Sequence, residues 1–209
     1  MSARGPRGEY AKTAARRIQI LDAALEVFAQ SGYRAGSLRE VANRVGISEA
    51  GLLHHFSSKR ALLVAVLDHR DEKARALIPE DSVDGVSSLR GMVTLARQNS
   101  NTPGVVELYC VLSAEATAPD HPAHDYFVRR YVTTRGMLRD AFEKLQRHGR
   151  LRWPIDPEAA AIHTIAYWDG MQVQWLLDRN VLDMGDALQE YFESIADLSS
   201  VREPALSAE

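Results

Sequence analysis

The sequence predicts an all-α fold in two parts, a small N-terminal bundle followed by a larger helical body. Apolar residues recur at three- and four-residue steps along most of the 209 residues, while the alternation expected of strands is almost absent. Ser, Asp, Pro and Gly stand where helix starts and stops are expected. Charge is divided unevenly: residues 1–60 hold ten Lys/Arg against five Asp/Glu, a net +5, and the remainder carries −8 within the overall −3. A basic head on an acidic body suits a polyanion-binding segment joined to a domain with another task.

The first helix runs through RRIQILDAALEVFAQSG, with Ile18, Leu21, Leu25 and Phe28 as its inward stripe and Gly32 as its stop. Ser37 caps the second, SLREVANRV, by accepting from a free backbone N–H, and Glu40 completes a capping box. Gly46 supplies the turn, Ser48 caps again, and EAGLLHHF forms a third helix with Leu52, Leu53 and Phe56 apolar. SSK opens a fourth, whose inward face is Leu62, Leu63, Val66 and Leu67; LIPEDSVDGVSS then reads as a loop. Later helices are expected over 86–98, 103–116, 121–149, 157–178 and 184–199. Pro103, Pro122 and Pro157 sit near their starts, where a missing N–H costs nothing, and Asp120 and Asp156 precede two of them as N-caps. Residues 1–11 and 200–209 read as frayed ends.

With 45% hydrophobic and 25% charged residues the chain has the composition of a globular protein. It contains no run of 18 apolar residues, and its charged start, MSARGPRGEYAKTAARR, is not followed by an apolar stretch, so no membrane span or secretory signal is expected and the protein is assigned to the cytoplasm. The lone Cys110 excludes an intrachain disulfide or a Cys-based zinc site and reads as a small buried hydrophobe. A glycine-rich phosphate loop, a nucleophile elbow, a HExxH helix and a credible Cys–His pair are all missing, which argues against an enzyme and against a cofactor. Asp120, His121, His124 and Asp125 are metal-type donors at close spacing, but Asp120 and Pro122 account for themselves as a helix start, and no metal is expected.

Ala42, Gly46 four residues on and then Ile47 give the spacing of a helix-turn-helix: a small residue where two helices cross, glycine where the chain reverses, an aliphatic anchor after it. The stretch SLREVANRVGISEAGLLHHFSSKRALL, led in by ILDAALEVFAQSGY, resembles the DNA-binding domain of the TetR family of transcriptional repressors across about residues 14–67. The resemblance implies a homodimer with three N-terminal helices on double-stranded operator DNA, a hinge-like fourth helix, and a larger C-terminal domain that binds a small-molecule effector and dimerises. It divides the chain into a basic N-terminus (1–11), a helix-turn-helix domain (12–58), a ligand-binding and dimerisation domain (59–199) and a tail (200–209). Carried over by position, phosphate anchoring falls on Ser37, His55 and Lys59, and base reading on Arg39, Glu49, Ala50 and Gly51. Arg39 can fork onto a guanine edge, and small Ala50 and Gly51 let the helix approach the groove; the capped helix starts at Ser37 and Lys59 aim N–H groups at phosphates, and Ser48 is counted with the DNA-binding residues. Leu53 stands where the family commonly has a tyrosine, and His54 and His55 are expected to take over its phosphate contact. Adjacent helical residues project about 100° apart, so the two imidazoles are poorly placed to share a metal.

In the second half, Leu108, Tyr109, Leu112, Phe127, Tyr131 and Met137, with Glu115 as a polar group, are expected to line an effector pocket or to be plain core. The helix PEAAAIHTIAYWDGMQVQWLLD is apolar round most of its girth and so needs two partners. His163, Tyr167 and Met171 are assigned to the pocket, and Ile165, Trp168, Gly170, Val173 and Leu176 to a subunit interface completed by Leu188, Phe192 and Ile195 of the last helix. Gly170 is expected to permit close backbone approach there. The sequence-level reading is a ligand-responsive transcriptional repressor; the alternatives are a DNA-binding regulator or architectural protein without an effector, and a helical enzyme.

Overall fold

The computed structural model describes residues 6–79 and 83–199, with side chains from Lys12 onward, and all its elements longer than a single bridge are helices. They are α1 (Pro6–Ala35), α2 (Leu38–Arg44), α3 (Glu49–His55), α4 (Lys59–Arg75), α5 (Val86–Asn99), α6 (Pro103–Glu115), α7 (His124–Arg147), α8 (Pro157–Leu177) and α9 (Met184–Ile195). Among the described residues no helix is long and apolar enough to cross a membrane.

The caps explain most boundaries. Ser37, Ser48 and Ser58 accept from the N–H groups of Glu40, Gly51 and Ala61, and Asp156 does the same for Ala159. Asp183 opens α9 by accepting from both Gly185 and Asp186. The capping box at α2 is only half formed, because the Glu40 carboxylate turns to Arg44 at 3.2 Å instead of reaching back to the cap. Gly46, at φ 68°, makes the reversal between α2 and α3, and the Ile47 N–H then donates to Ala42 O at 3.0 Å.

Several expectations are corrected. Helix α1 already begins at Pro6, so residues 6–11 are helical; its helical geometry breaks at Gly32 (φ 73°, ψ 164°), where the stop is expected, and a further turn runs on to Ala35. Its inward stripe is set one register away from Ile18, which is 48% exposed, and passes through Ile20, Leu21, Ala24, Val27 and Phe28, with Leu25 half-buried beside them. Of the apolar residues of α3, Leu52 is buried and Leu53 is 38% exposed. Helix α7 starts at His124, not at 121, and Asp120 caps nothing there: the Ala123 N–H donates to His121 Nδ1 instead. Helix α9 stops at Ile195, because Ala196 leaves the helix to pair with Leu151 in an isolated antiparallel bridge. Residues 1–5 and 200–209 lie outside the described residues.

Two apolar clusters organise the chain. One joins α1–α4 to Leu108, Tyr109 and Leu112 of α6 and Tyr126 and Phe127 of α7. The other is built from α5, α7, α8 and α9 with Val106 of α6, and α4 reaches it only through Ala74. Helix α4 therefore belongs to both.

Candidate functional site

The helix-turn-helix is locked from outside by α1. Arg17 donates to His55 O at 3.0 Å and lies over the Phe56 ring, and Arg16 donates to Val45 O at 2.9 Å, so guanidinium groups meet the free carbonyls ending α3 and α2. Arg44 binds Glu26 at 2.9 Å, closing the other side. Such long-range caps were invisible in the sequence, where Arg16 and Arg17 read only as part of a basic run. Ser37, Arg39, Ser48, Glu49, Ala50 and His54 are exposed, Gly51 and His55 half-buried. The rings of His54 and His55 meet edge to face, 6.0 Å apart. Leu53 is exposed on the same short helix, putting an apolar side chain in place of a hydroxyl.

Lys59 has two attachments that its sequence position did not announce. Its ammonium donates to Arg34 O at 2.9 Å and lies over the Tyr33 ring, 4.9 Å from the centroid, and burial holds its pKa below the usual lysine value. Asp22 of α1 further grips α4, at 2.7 Å from Lys73 and 3.1 Å from His69. Helix α4 is thus tied to the end of α1 through Lys59 at its start and to the middle of α1 through His69 and Lys73 in its second half.

The other end of α4 faces a cavity of about 460 Å³ walled by α4, α5, α6, α7 and α8. Tyr109, Phe127, Tyr131 and Met137 line it, as do Ile165, Trp168 and Val173, which the sequence assigns to a subunit interface. Leu108 and Leu112 do not: they turn to the head cluster. Met171 is 2% exposed in the second core, Tyr167 stacks on Tyr191 at 4.4 Å, and His163 is exposed. Glu115 lies between Arg34 (3.4 Å) and His121 (3.5 Å), tying the end of α6 to the head; His124 Nδ1 meets Ala116 O.

Polar groups absent from the sequence reading close one side of the cavity. Asp71 accepts from Tyr126 at 2.6 Å, pairs closely with Arg130, and has Arg70 at 3.7 Å. Tyr109 donates to Leu67 O at 3.1 Å and lies beneath both guanidinium groups. Burial, with the Asp71 charge adding to it, pushes the Tyr109 hydroxyl up to about 12, so it stays a donor. On α8, the Asp169 carboxylate accepts from Tyr131 at 2.7 Å. Cys110 also faces the cavity, and burial, with the charges of Asp169 and Glu107, raises its thiol to about 11, an inert group at neutral pH.

The interface assignments change as well. Leu188, Phe192 and Ile195 are buried in the protomer's own core and have no surface to offer a second subunit. Leu176 is half-buried against that core. Beside the exposed His163, Tyr167 and Gln174, α8 leaves exposed the stripe Ile162, Ala166, Gly170, Val173 and Leu177, spaced three and four residues apart; a Cβ at Gly170 would meet nothing within 4 Å.

Residues 20–66 match the family described as bacterial regulatory proteins, tetR family, and residues 100–198 match that described as BetI-type transcriptional repressor, C-terminal. The HTH-type transcriptional regulator TtgR of Pseudomonas putida is 24% identical over 193 residues, covering 87% of this chain and 90% of that protein. The HTH-type transcriptional repressor Rv1474c of Mycobacterium tuberculosis is 31% identical over 116 residues, 50% of this chain and 62% of the relative. Among solved structures, a TetR-family regulator from Rhodococcus sp. superposes with a TM-score of 0.72 at 26% identity, over 88% of this chain and all of the other.

Proposed function

We propose that this chain, which belongs to the TetR family of bacterial DNA-binding transcriptional regulators, is a cytoplasmic homodimeric repressor that a small-molecule effector releases from its operator. Residues 12–58 form the reading head and 59–199 the effector and dimerisation body, with α4 shared between them. Arg39, Glu49, Ala50 and Gly51 face base edges, while Ser37, Ser48, His54 and His55 hold phosphates. The exposed stripe of α8 meets its copy across a two-fold axis, with Gly170 letting the backbones approach. A dimer so formed presents two α3 helices to successive major grooves of a near-palindromic site.

One observation carries the effector reading: α4 is pinned to the head through Lys59, His69 and Lys73 and to the cavity wall through Asp71. An occupant that separates α7 from α4 must work against the Tyr126–Asp71–Arg130 contacts, and the head follows α4. A ligand produces this only by binding the DNA-incompetent arrangement better.

The test is reciprocal titration of the full chain on its best near-palindromic duplex. Affinity is expected to fall steeply with salt. An inducer must weaken DNA binding by the same factor by which DNA weakens inducer binding. An inducer that binds free and DNA-bound protein equally refutes the mechanism.

A further inference from the structure

We infer that the cavity is built for a bulky lipophilic organic cation, with its positive centre against the Asp169 carboxylate and its apolar body along the aromatic wall that includes Trp168 and Phe127. The inference rests on the reading of this cavity as the effector site and adds the chemical class of the effector.

Two sets of charges line the cavity, and they differ in how well they are matched. On the α4 side the charges away from the rim have counterparts. Asp71 is paired with Arg130 and Arg70; Arg70 also donates to Asn99 at 2.8 Å. Asp68, Arg75 and Arg129 are exposed at the rim, where solvent screens them and the two guanidinium groups already draw on the Asp68 charge. An anionic ligand seated inside the rim would have to take Arg130 away from Asp71.

Asp169 is different. It is half-buried in the α8 wall, and its hydrogen-bond partner is the neutral hydroxyl of Tyr131. Among the described residues no lysine or arginine comes within ion-pair distance of it; Arg130 acts on it only from farther off and is committed to Asp71. Burial accordingly raises the Asp169 pKa against the Tyr131 bond. A desolvated carboxylate without a paired cation is costly to the protein alone and favourable to a ligand that brings the missing charge. The neighbouring surface suits the rest of such a ligand: Tyr131, Trp168 and Phe127 present aromatic rings, which attract cations lacking N–H donors as well as apolar groups. A space of about 460 Å³ exceeds what a small quaternary ammonium fills.

Tetraphenylphosphonium and tetraphenylborate share shape and apolar area and differ in charge, so their dissociation constants on the full chain, followed by tryptophan fluorescence and calorimetry, give the decision. The phosphonium is expected to bind at least about tenfold tighter than the borate, and tighter than tetramethylammonium, which leaves the walls uncovered. Asp169→Asn keeps an acceptor for Tyr131 and should remove that preference, whereas Asp169→Glu should retain it. Equal or tighter binding of the borate, no binding of the phosphonium, or an undiminished preference in Asp169→Asn overturns the inference; should that variant not fold, the wild-type comparison of the two ions decides. Operator release is measured in parallel. Release by the borate alone would sink the cation inference and leave the effector reading standing, while phosphonium binding at Asp169 without any change in operator affinity would support the site and sink the effector reading.

Discussion

Truncating Asp71 to alanine should cost far more than its surface burial suggests, and the reason is what it leaves behind. The carboxylate accepts from Tyr126 at 2.6 Å and faces Arg130 and Arg70, whose side chains are 23% and 12% exposed. Removing one member of a buried ion pair typically costs about 3–5 kcal/mol, because the remaining charge stays desolvated. Water reaches part of Arg130, and Arg70 keeps Asn99, so the lower end, about 3 kcal/mol, is expected. Tyr126→Phe deletes a single hydroxyl bonded to a carboxylate and should cost about 1.5–2 kcal/mol. The two losses should not add, since they share one bond. Replacing the pair by apolar residues, Asp71→Leu with Arg130→Met, should restore stability to within about 1 kcal/mol of the parent. Urea unfolding at one fixed protomer concentration measures all four, the concentration being held because a dimer's stability depends on it. A loss below about 1 kcal/mol for Asp71→Ala, or an apolar pair as damaging as the truncation, would refute the reasoning.

Arg39→Ala should relax preference at one base pair at a cost of about 1–3 kcal/mol, seen by competition between duplexes. Lys59→Ala should weaken every duplex alike, lower the salt slope by about one, and also lower the melting temperature through the lost bond to Arg34. Val173→Glu should yield monomers in sedimentation analysis, with operator affinity reduced at least about tenfold and helical content unchanged. Asp169 has its folded pKa raised, chiefly by burial, so its contribution to stability is complete below the ordinary carboxylate value of about 3.9 and is lost as pH rises through the folded value. Melting temperatures across that acidic window should fall in the parent relative to Asp169→Asn; identical profiles would contradict the assignment.

The head was legible because its signals are local. Ser37, Gly46 and Ser48 act within three or four residues of themselves, and the chain cannot form α2 and α3 without using them. Ile18 misled because adjacent helical registers both contain apolar residues, and only packing against α4 selects Ile20. The cavity was legible in part, since apolar spacing cannot distinguish a residue facing a void, such as Met137, from one facing a neighbour, such as Met171. A stronger signal was present but unused. Asp71 continues the inward stripe Leu63, Val66, Leu67 on α4, and Asp169 continues Ile165 on α8; a carboxylate in an apolar register is a buried charge that needs a partner. The arginines that hold the ends of α2 and α3 could not have been found, because their acceptors are backbone carbonyls 29 and 38 residues away.

In the proposed mechanism helix α4 is also a lever, and its length sets what an effector would have to accomplish. Twelve residues separate Lys59 from Asp71, about 18 Å of helix, so a tilt of about 5° displaces the far end by about 1.6 Å. In the proposed dimer, two copies moving in opposite senses would change the separation of the α3 helices by about 3 Å against a half-site repeat of about 34 Å. That is enough to take hydrogen-bonding side chains out of reach of their phosphates. On this mechanism the operator would sense only how far α7 has been pushed from α4, and chemically different occupants that wedge the same gap would produce the same response. Selectivity for the effector and fidelity toward the operator can then change independently, each by substitutions at its own end of one rigid rod.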